Sequence, residues 1–540
     1  MHRNIPPSCW RLLTVLLIFI TGCWHTYYIA RPGSLDLAPD EAHYWMWSQR
    51  LDISYYSKGP LVAWLIRASS EVFGSVSRSI CGTDVLAVRL PAVFCGSAIL
   101  VGLYVLSLRV YHSERFSCLV VVGALTLPMV AVSRTIMTID SPFICCWCWA
   151  LVLGHEAIVR RTRWAWPALG IVLALGILAK YTMILWLGSA CLFLVLTPSQ
   201  RPLLRTAGPW IAVVIAALGY VPILWWNISH DWQSFRHVST LAGATADHAS
   251  STIRWIGPLE FVGSQAALLV GFWFVVWLAA MIANRPWKET DPSKQFLWWL
   301  SVPTFVTFLV FSVRTSILLN WSVPAYVSGM ILAAGWFRDR LIMGTRRSRA
   351  YLGTCAALTA IVSTFATICI FHVEIIRPAL TSIAGSPTES SPMPLRRFDP
   401  TCRLRGWRHL GKEVAMLEKE LQSEGSMPLI AGSRWFYASE VSFYGAGHPN
   451  VYSLGLLIAD RHSQFDVWRP NPLSDPEHFV GRTFIFVDVG LPNSTIEKAF
   501  DRIEPARVVE YMEGGQPIAK WYLTVCRGFR GAQVGSNTRY

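Results

Sequence analysis

Charged residues are scarce in this sequence. Asp, Glu, Lys and Arg make up 15% of its 540 residues, whereas 53% of them are hydrophobic. A soluble chain could not bury that much apolar surface in its core, so the composition predicts a polytopic membrane protein. The formal net charge of +14 does not indicate nucleic-acid binding, because the basic residues fall in short clusters between apolar runs.

Patterns typical of metal centres and of transporters are also missing. The 13 cysteines lie mostly in apolar runs, with no His or second Cys pair at ligand spacing. Cysteines in such runs pack as small apolar side chains. The sequence shows no internal repeat and no charged residue at mid-span, two features that transport usually requires.

Long apolar runs are abundant. About eleven have the roughly 15 to 25 residues needed to cross a hydrocarbon core of about 30 Å. We interpret the first as a retained helix, since it lacks a cleavage site of small residues and further spans follow it. The predicted spans lie at residues 11–30, 90–109, 117–135, 141–155, 164–179, 182–197, 208–227, 260–283, 296–313, 317–337 and 351–372.

The distribution of basic residues predicts the orientation and the domains. Arg and Lys are more frequent in the loops on the side of the N-terminus, which places that side in the cytoplasm. An odd number of spans then puts the chain after about residue 375 outside. We predict a transmembrane domain at 1–375 with a first outer loop at 31–89, a Pro/Ser-rich linker at 376–400, and a periplasmic soluble α/β domain at 401–540. That last domain is predicted to hold a helix at 410–422 and strands at 428–436, 450–454, 483–489 and 520–529.

The first outer loop is crowded with Tyr and Trp and carries an acidic pair, Asp40 and Glu41, and one lysine, Lys58. Pro39 followed by two acids predicts a helix start, where the helix dipole favours negative charge. The segments AHYWMWSQRL and PLVAWLIRASSEVF are predicted to be two amphipathic helices lying in the membrane interface. Anchoring requires neither the acidic pair nor the lysine, so these charges are candidates for function.

Several short segments resemble a known family in their order and spacing. They are DEAHYWMWSQRL, YYSKGPLVAWLIR, VRLPAVFCG, TIDSP, AKYT, NISHDWQSF and LNWSVPAY, with FDPTCRLRGW and SFYGAGHPNVYSL further on. Together they resemble the bacterial polyprenyl-phosphate-sugar glycosyltransferases that are similar to protein O-mannosyltransferases and lipid A aminoarabinose transferases. The resemblance spans nearly the whole chain and implies a GT-C fold.

The resemblance also implies an activity and a location. The expected enzyme is a multi-pass protein of the bacterial inner membrane that moves a sugar from a polyprenyl phosphate to a hydroxyl group. The acceptor would be a lipid, a glycan or a protein at the periplasmic face. A transporter or flippase of lipid-linked sugars is the alternative, and a non-catalytic scaffold is a third possibility.

The resemblance assigns roles to three charged residues. Asp40 matches the expected catalytic base, with Glu41 beside it. Lys58 matches the residue near the donor phosphate, although this chain has Lys-Gly-Pro where the family usually has two prolines. Asp140 matches the second outer acid. One base without a separate nucleophile predicts a single displacement with inversion at the anomeric carbon.

Other outer residues carry weaker expectations. Arg89 and Lys180 are candidate contacts to the donor phosphate, or charges that snorkel at helix ends. No metal ligand set is predicted, and a divalent cation near the phosphate is left open. For the remaining residues a solvated loop, a helix cap or an ion pair is the alternative; the candidate substrate contacts are Tyr55, Asp140, His230, Asp231 and Trp232.

Overall fold

The computed structural model describes residues 6–241 and 253–531, and most of them are helical. The α-helices of these residues are α1 (Pro7–Ala30), α2 (Pro39–Gln49), α3 (Leu61–Cys81), α4 (Val85–Tyr111), α5 (Glu114–Leu125), α6 (Pro128–Ser133), α7 (Asp140–Gly154), α8 (Ala165–Ala179), α9 (Ile184–Leu196), α10 (Ala207–Leu218), α11 (Val221–Ser229), α12 (Gln233–Leu241), α13 (Gly257–Leu268), α14 (Phe272–Ala283), α15 (Pro292–Trp299), α16 (Val302–Phe311), α17 (Val323–Met343), α18 (Arg346–Phe371), α19 (Arg377–Ala384), α20 (Trp407–Ser423), α21 (Trp435–Tyr444), α22 (Gln464–Val467) and α23 (Ser494–Lys498).

Fewer than eleven of the described helices pass a test of length and apolar composition for crossing a membrane. Within the described residues, six helical segments are long and apolar enough, and α13 with α14 makes a seventh if this pair, bent by 111°, is one span. Helices also lie at the other predicted spans, but they are shorter or more polar. The structure therefore supports a multi-pass helical protein, and the count of eleven stays a prediction.

A mixed sheet confirms the predicted α/β character of the C-terminal region. Its order is β2-β1-β3-β6-β4, with β5 also paired to β6. The strands β1 and β3 are parallel, whereas β6 runs antiparallel to β3, β4 and β5. Its strands are β1 (Leu429–Gly432), β2 (Val451–Ser453), β3 (Phe484–Asp488), β4 (Phe500–Ile503), β5 (Arg507–Glu513) and β6 (Gln516–Phe529).

The chain divides into two compact units that cut across the predicted domain boundary. The membrane unit takes in the chain up to Tyr27, then Lys58–Val62 and Leu90–Thr367. The loop-and-sheet unit takes in Tyr28–Ser57, Ala63–Arg89 and everything from Ile368 onward. Most of the first outer loop thus folds with the C-terminal region, an association that no pattern in the sequence indicated.

Helix α2 differs from the amphipathic interfacial helix that was predicted. All residues from Glu41 to Ser48 are buried, so the helix has no wet face along this stretch. The reason is that α2 packs within its own unit against α21, which is itself buried from Tyr437 to Phe443. Protein rather than lipid headgroups surrounds these aromatic side chains.

Candidate functional site

The two adjacent acids of the first loop have opposite surroundings. Asp40 is exposed in the first turn of α2, whereas the side chain of Glu41 is fully buried. Pro39 opens the helix, and the Glu41 carboxylate accepts a hydrogen bond of 2.8 Å from the backbone N–H of Ala38. This cap fixes the start of the helix from its buried side.

Arg89 joins Glu41 in a buried ion pair. Its guanidinium donates to the Glu41 carboxylate at 2.7 and 3.0 Å, and the exposed fractions of the two side chains are 1% and 0%. It also donates to the carbonyl groups of Leu35 and Asp36, both at 2.8 Å. These contacts occupy the guanidinium with protein groups. The geometry supports a structural role for both residues rather than contact with phosphate.

Lys58 lies half-buried in the membrane unit, just before Gly59 and Pro60. Gly59 faces the last turn of α8: a Cβ atom placed on it would stand 2.1 Å from the carbonyl oxygen of Leu178. No side chain fits that approach without a shift of the backbone. The departure from two prolines therefore has a steric reason in this chain, and the glycine holds Lys58 close to the end of α8.

Asp140, Lys180 and Asn320 meet in the membrane unit. The Lys180 ammonium donates to one oxygen of the Asp140 carboxylate at 2.7 Å, and the Asn320 amide donates to the other at 2.6 Å. Asp140 opens α7, and Lys180 follows the last residue of α8. The structure thus brings together two predicted site residues as an ion pair, the alternative that the sequence left open for Asp140.

A mostly apolar cavity of about 440 Å³ adjoins these residues. Its lining includes Asp140 and Asn320 and also Arg134, which sequence reasoning did not select. The Arg134 guanidinium is buried and donates to the hydroxyl groups of Thr21 and Ser97 at 2.9 and 3.3 Å. Among residues 6–241 and 253–531 no carboxylate forms an ion pair with it, and its Nε has no hydrogen-bond partner. A buried cation beside a cavity is suited to bind an anion.

Gly96 makes the position of Arg134 possible. A Cβ atom on Gly96 would stand 2.1 Å from Cγ of Arg134, so the stem of the arginine lies directly on the backbone of α4. Sequence signals for these residues existed: Arg134 stands six residues before Asp140, and Asn320 belongs to the segment LNWSVPAY. Neither signal carried a chemical reason until the fold placed both at the cavity.

The predicted substrate contacts His230 and Trp232 pack against aromatic side chains. The His230 ring stacks on Trp226 at 4.0 Å, and Trp232 is half exposed beside Phe235. Asp231 and Trp232 both have a left-handed backbone, with φ of 51° and 59°. Such consecutive conformations are strained in residues other than glycine and are found at functional sites.

Tyr55 is buried and satisfied within the loop. Its ring stacks on Trp47 at 4.4 Å, and its hydroxyl donates to the Trp47 carbonyl at 3.0 Å. The same hydroxyl accepts from the backbone N–H of Asp52 at 3.1 Å. These contacts support a role in shaping the loop that leads to Lys58.

In the described parts of the chain, no three His, Cys, Asp or Glu side chains converge as metal ligands would. All thirteen cysteines have free thiols.

Comparison with known proteins gives a family match and one curated relative. Residues 57–226 match the family described as dolichyl-phosphate-mannose-protein mannosyltransferase. The lipid A galacturonosyltransferase RgtD of Rhizobium johnstonii is 30% identical over 341 residues, which are 61% of this chain and 67% of that protein.

Two solved structures share the fold. The chain resembles ArnT from Cupriavidus metallidurans in the apo state, with a TM-score of 0.60 and 14% identity over 96% of this chain and 98% of ArnT. The same protein bound to undecaprenyl phosphate gives a TM-score of 0.57 with the same identity and coverage. At this identity the likeness concerns the fold.

Proposed function

Because this chain belongs to the GT-C family of lipid-linked-sugar glycosyltransferases, we propose that it moves a sugar from a polyprenyl phosphate to a hydroxyl group at the periplasmic face, with Asp40 as the general base. The observation that carries this proposal is the difference between the surroundings of the two adjacent acids. Glu41 is buried in a cap and an ion pair, and Asp40 is held exposed beside it.

The chemistry requires one base and at least one cation. The acceptor oxygen attacks the anomeric carbon, and the bond between that carbon and the phosphate oxygen breaks. The electron pair leaves with the phosphate, and the acceptor proton passes to the Asp40 carboxylate. A phosphate is a stable anion, so no strong general acid is needed. A single displacement of this kind inverts the anomeric carbon.

Two cations of the membrane unit fit the departing phosphate. Lys58 matches the family position and is held by the close packing of Gly59. Arg134 adds a buried guanidinium on the wall of the apolar cavity, which suits a polyprenyl chain. Lys180 is already paired with Asp140, so its part in phosphate binding is smaller. Cations fixed in place before the reaction stabilise the charge that develops on the phosphate.

The relative suggests a sugar and an acceptor. The name of the rhizobial protein indicates transfer of galacturonic acid to lipid A, and we propose the same pair for this chain. Mass spectrometry of lipid A from cells with and without the gene tests it. Lipid A that lacks one galacturonic acid residue only in the deletion strain supports the proposal. If lipid A is unchanged and a sugar is missing from another envelope glycan, lipid or protein, that molecule is the acceptor and the lipid A proposal is wrong.

The orientation gives one prediction. A reporter enzyme that is active only in the periplasm, fused after Arg397, should be active, because the basic loops place this region outside. A reporter active only in the cytoplasm, fused at the same site, is the matched control and should be silent. The opposite pattern would show that the number of spans before Arg397 is even.

Lys58 gives a second prediction. Lys58→Met should weaken binding of undecaprenyl phosphate about tenfold or more, since a charge-assisted contact of about 1.5 to 3 kcal/mol is lost. Lys58→Arg should retain part of the affinity because its charge survives while the geometry changes. Titration of the purified proteins with undecaprenyl phosphate measures both. Equal affinity in wild type and Lys58→Met would remove Lys58 from the site.

A further inference from the structure

Helix α2, which carries Asp40, packs against the C-terminal region. Helix α2 packs against α21 inside the loop-and-sheet unit. The Trp45 ring meets Phe443 edge-on at 4.9 Å, and the His43 ring stacks on Phe465 at 5.5 Å. Side chains of the C-terminal region therefore cover α2 where a free loop would expose it.

Hydrogen bonds hold the segment that enters α2. The Asp36 carboxylate accepts from the backbone N–H of Trp407 and from Nε of Arg408, both at 2.9 Å. The backbone N–H of Leu37 donates to the Tyr444 hydroxyl at 2.7 Å. Three groups of the C-terminal region thus fix two residues that lie just before Asp40.

A further bond holds α2 on the other side of Asp40. His43, three residues after Asp40, has its Nδ1 3.0 Å from the hydroxyl oxygen of Ser439 on α21. Burial lowers the pKa of His43 to about 3, so the imidazole is neutral at ordinary pH. The contact is therefore a hydrogen bond between two neutral groups.

Glu440, next to Ser439 on α21, is a buried carboxylic acid. Its carboxyl group is buried, and neither oxygen has a hydrogen-bond partner among the described residues. Burial, followed by the charges of Asp36 and Glu41, raises the pKa of Glu440 well above its usual value. The Arg89 guanidinium is paired with Glu41, which caps α2.

We infer that the C-terminal region positions the catalytic base, with Arg408 and Ser439 as positioning residues that set α2, and hence Asp40, in its working place. This inference rests on the proposed role of Asp40. A displacement of about 1 Å at a reacting group can reduce the rate about 10²-fold. The C-terminal region therefore contributes to turnover through the position of α2.

The test separates turnover from donor binding. Arg408→Met removes the bond to Asp36 and keeps the aliphatic stem, and Ser439→Ala removes the partner of His43. Each should lower kcat at least tenfold while KM for undecaprenyl-phosphate-linked galacturonic acid, with lipid A as acceptor, changes less than about threefold. Arg408→Lys should restore part of kcat, because a cation again faces Asp36. Arg502→Met, an exposed arginine on β4, is the matched control and should retain wild-type kcat.

The outcomes distinguish this inference from the proposed function. If Arg408→Met and Ser439→Ala are only less stable to heat and keep wild-type kcat per folded molecule, the positioning role is wrong. Should Arg408→Met fail to fold, Ser439→Ala decides alone, since it removes one hydroxyl group. If Asp40→Asn is inactive while both variants turn over normally, the inference fails and the proposed function stands. Near wild-type turnover in Asp40→Asn would instead overturn the assignment of Asp40 as the base, on which this inference rests.

Discussion

Replacing Asp40 by asparagine should lower kcat about 10²-fold to 10⁴-fold, the range typical of general base catalysis. The amide has nearly the size of the carboxylate and keeps much of its hydrogen bonding, but it cannot accept the acceptor proton. Because Asp40 is exposed and Glu41 maintains the cap of α2, the variant should fold normally. Purified protein, assayed for turnover and for undecaprenyl phosphate affinity, should show loss of the first and retention of the second.

The matched control for Asp40→Asn is Glu71→Gln, which makes the same change from acid to amide at another exposed residue, on α3. Glu71 pairs with Arg67 at the surface and lies away from the start of α2 in sequence, so its loss should leave turnover unchanged. Near wild-type turnover in Asp40→Asn would exclude this residue as the base.

Glu41→Gln should act mainly on stability. Removing one partner of a buried ion pair leaves the other charge uncompensated, which costs about 3 to 5 kcal/mol. The exposed fractions of Arg89 and Glu41, 1% and 0%, place the pair in that class. Chemical denaturation of the purified variant should show this loss in the free energy of unfolding, whereas the exposed variant Glu71→Gln should lose at most about 1 kcal/mol.

A double variant tests the origin of that loss. Glu41→Gln with Arg89→Met removes both charges, so it should be destabilised by less than the sum of the two single variants. The turnover of the folded fraction of Glu41→Gln should stay well above that of Asp40→Asn. A stable Glu41→Gln with no turnover, together with near wild-type turnover in Asp40→Asn, would assign the base to Glu41.

The sequence predicted the membrane class, the fold family and the α/β character of the C-terminal region, because apolar runs and ordered motifs are local signals. It also selected Asp40, Lys58 and Asp140 from their motif positions. The pairing of Asp140 with Lys180 was open, since the partners stand 40 residues apart and meet only through the packing of α7 against α8. Arg134 was missed because only the three-dimensional structure shows that no acid among the described residues pairs with it.

The contact between α2 and α21 was beyond sequence reasoning for the same physical reason. His43 and Ser439 are separated by 396 residues, and no periodic pattern reports a contact over such a distance. The aromatic residues of α2 fit a membrane interface as well as a protein interior, so the interfacial interpretation followed from composition alone. Only the tertiary fold shows that protein covers them.

The long separation in sequence between α2 and α21 has a consequence for biogenesis. At roughly 5 to 20 residues per second, the ribosome adds α21 on the order of 20 to 80 s after α2. During that interval the first loop has no partner helix, while most of the membrane helices are already synthesised. Under the proposed mechanism, Asp40 therefore takes its place only in the final stage of synthesis, and a nascent chain interrupted before α21 would lack the helix that positions it.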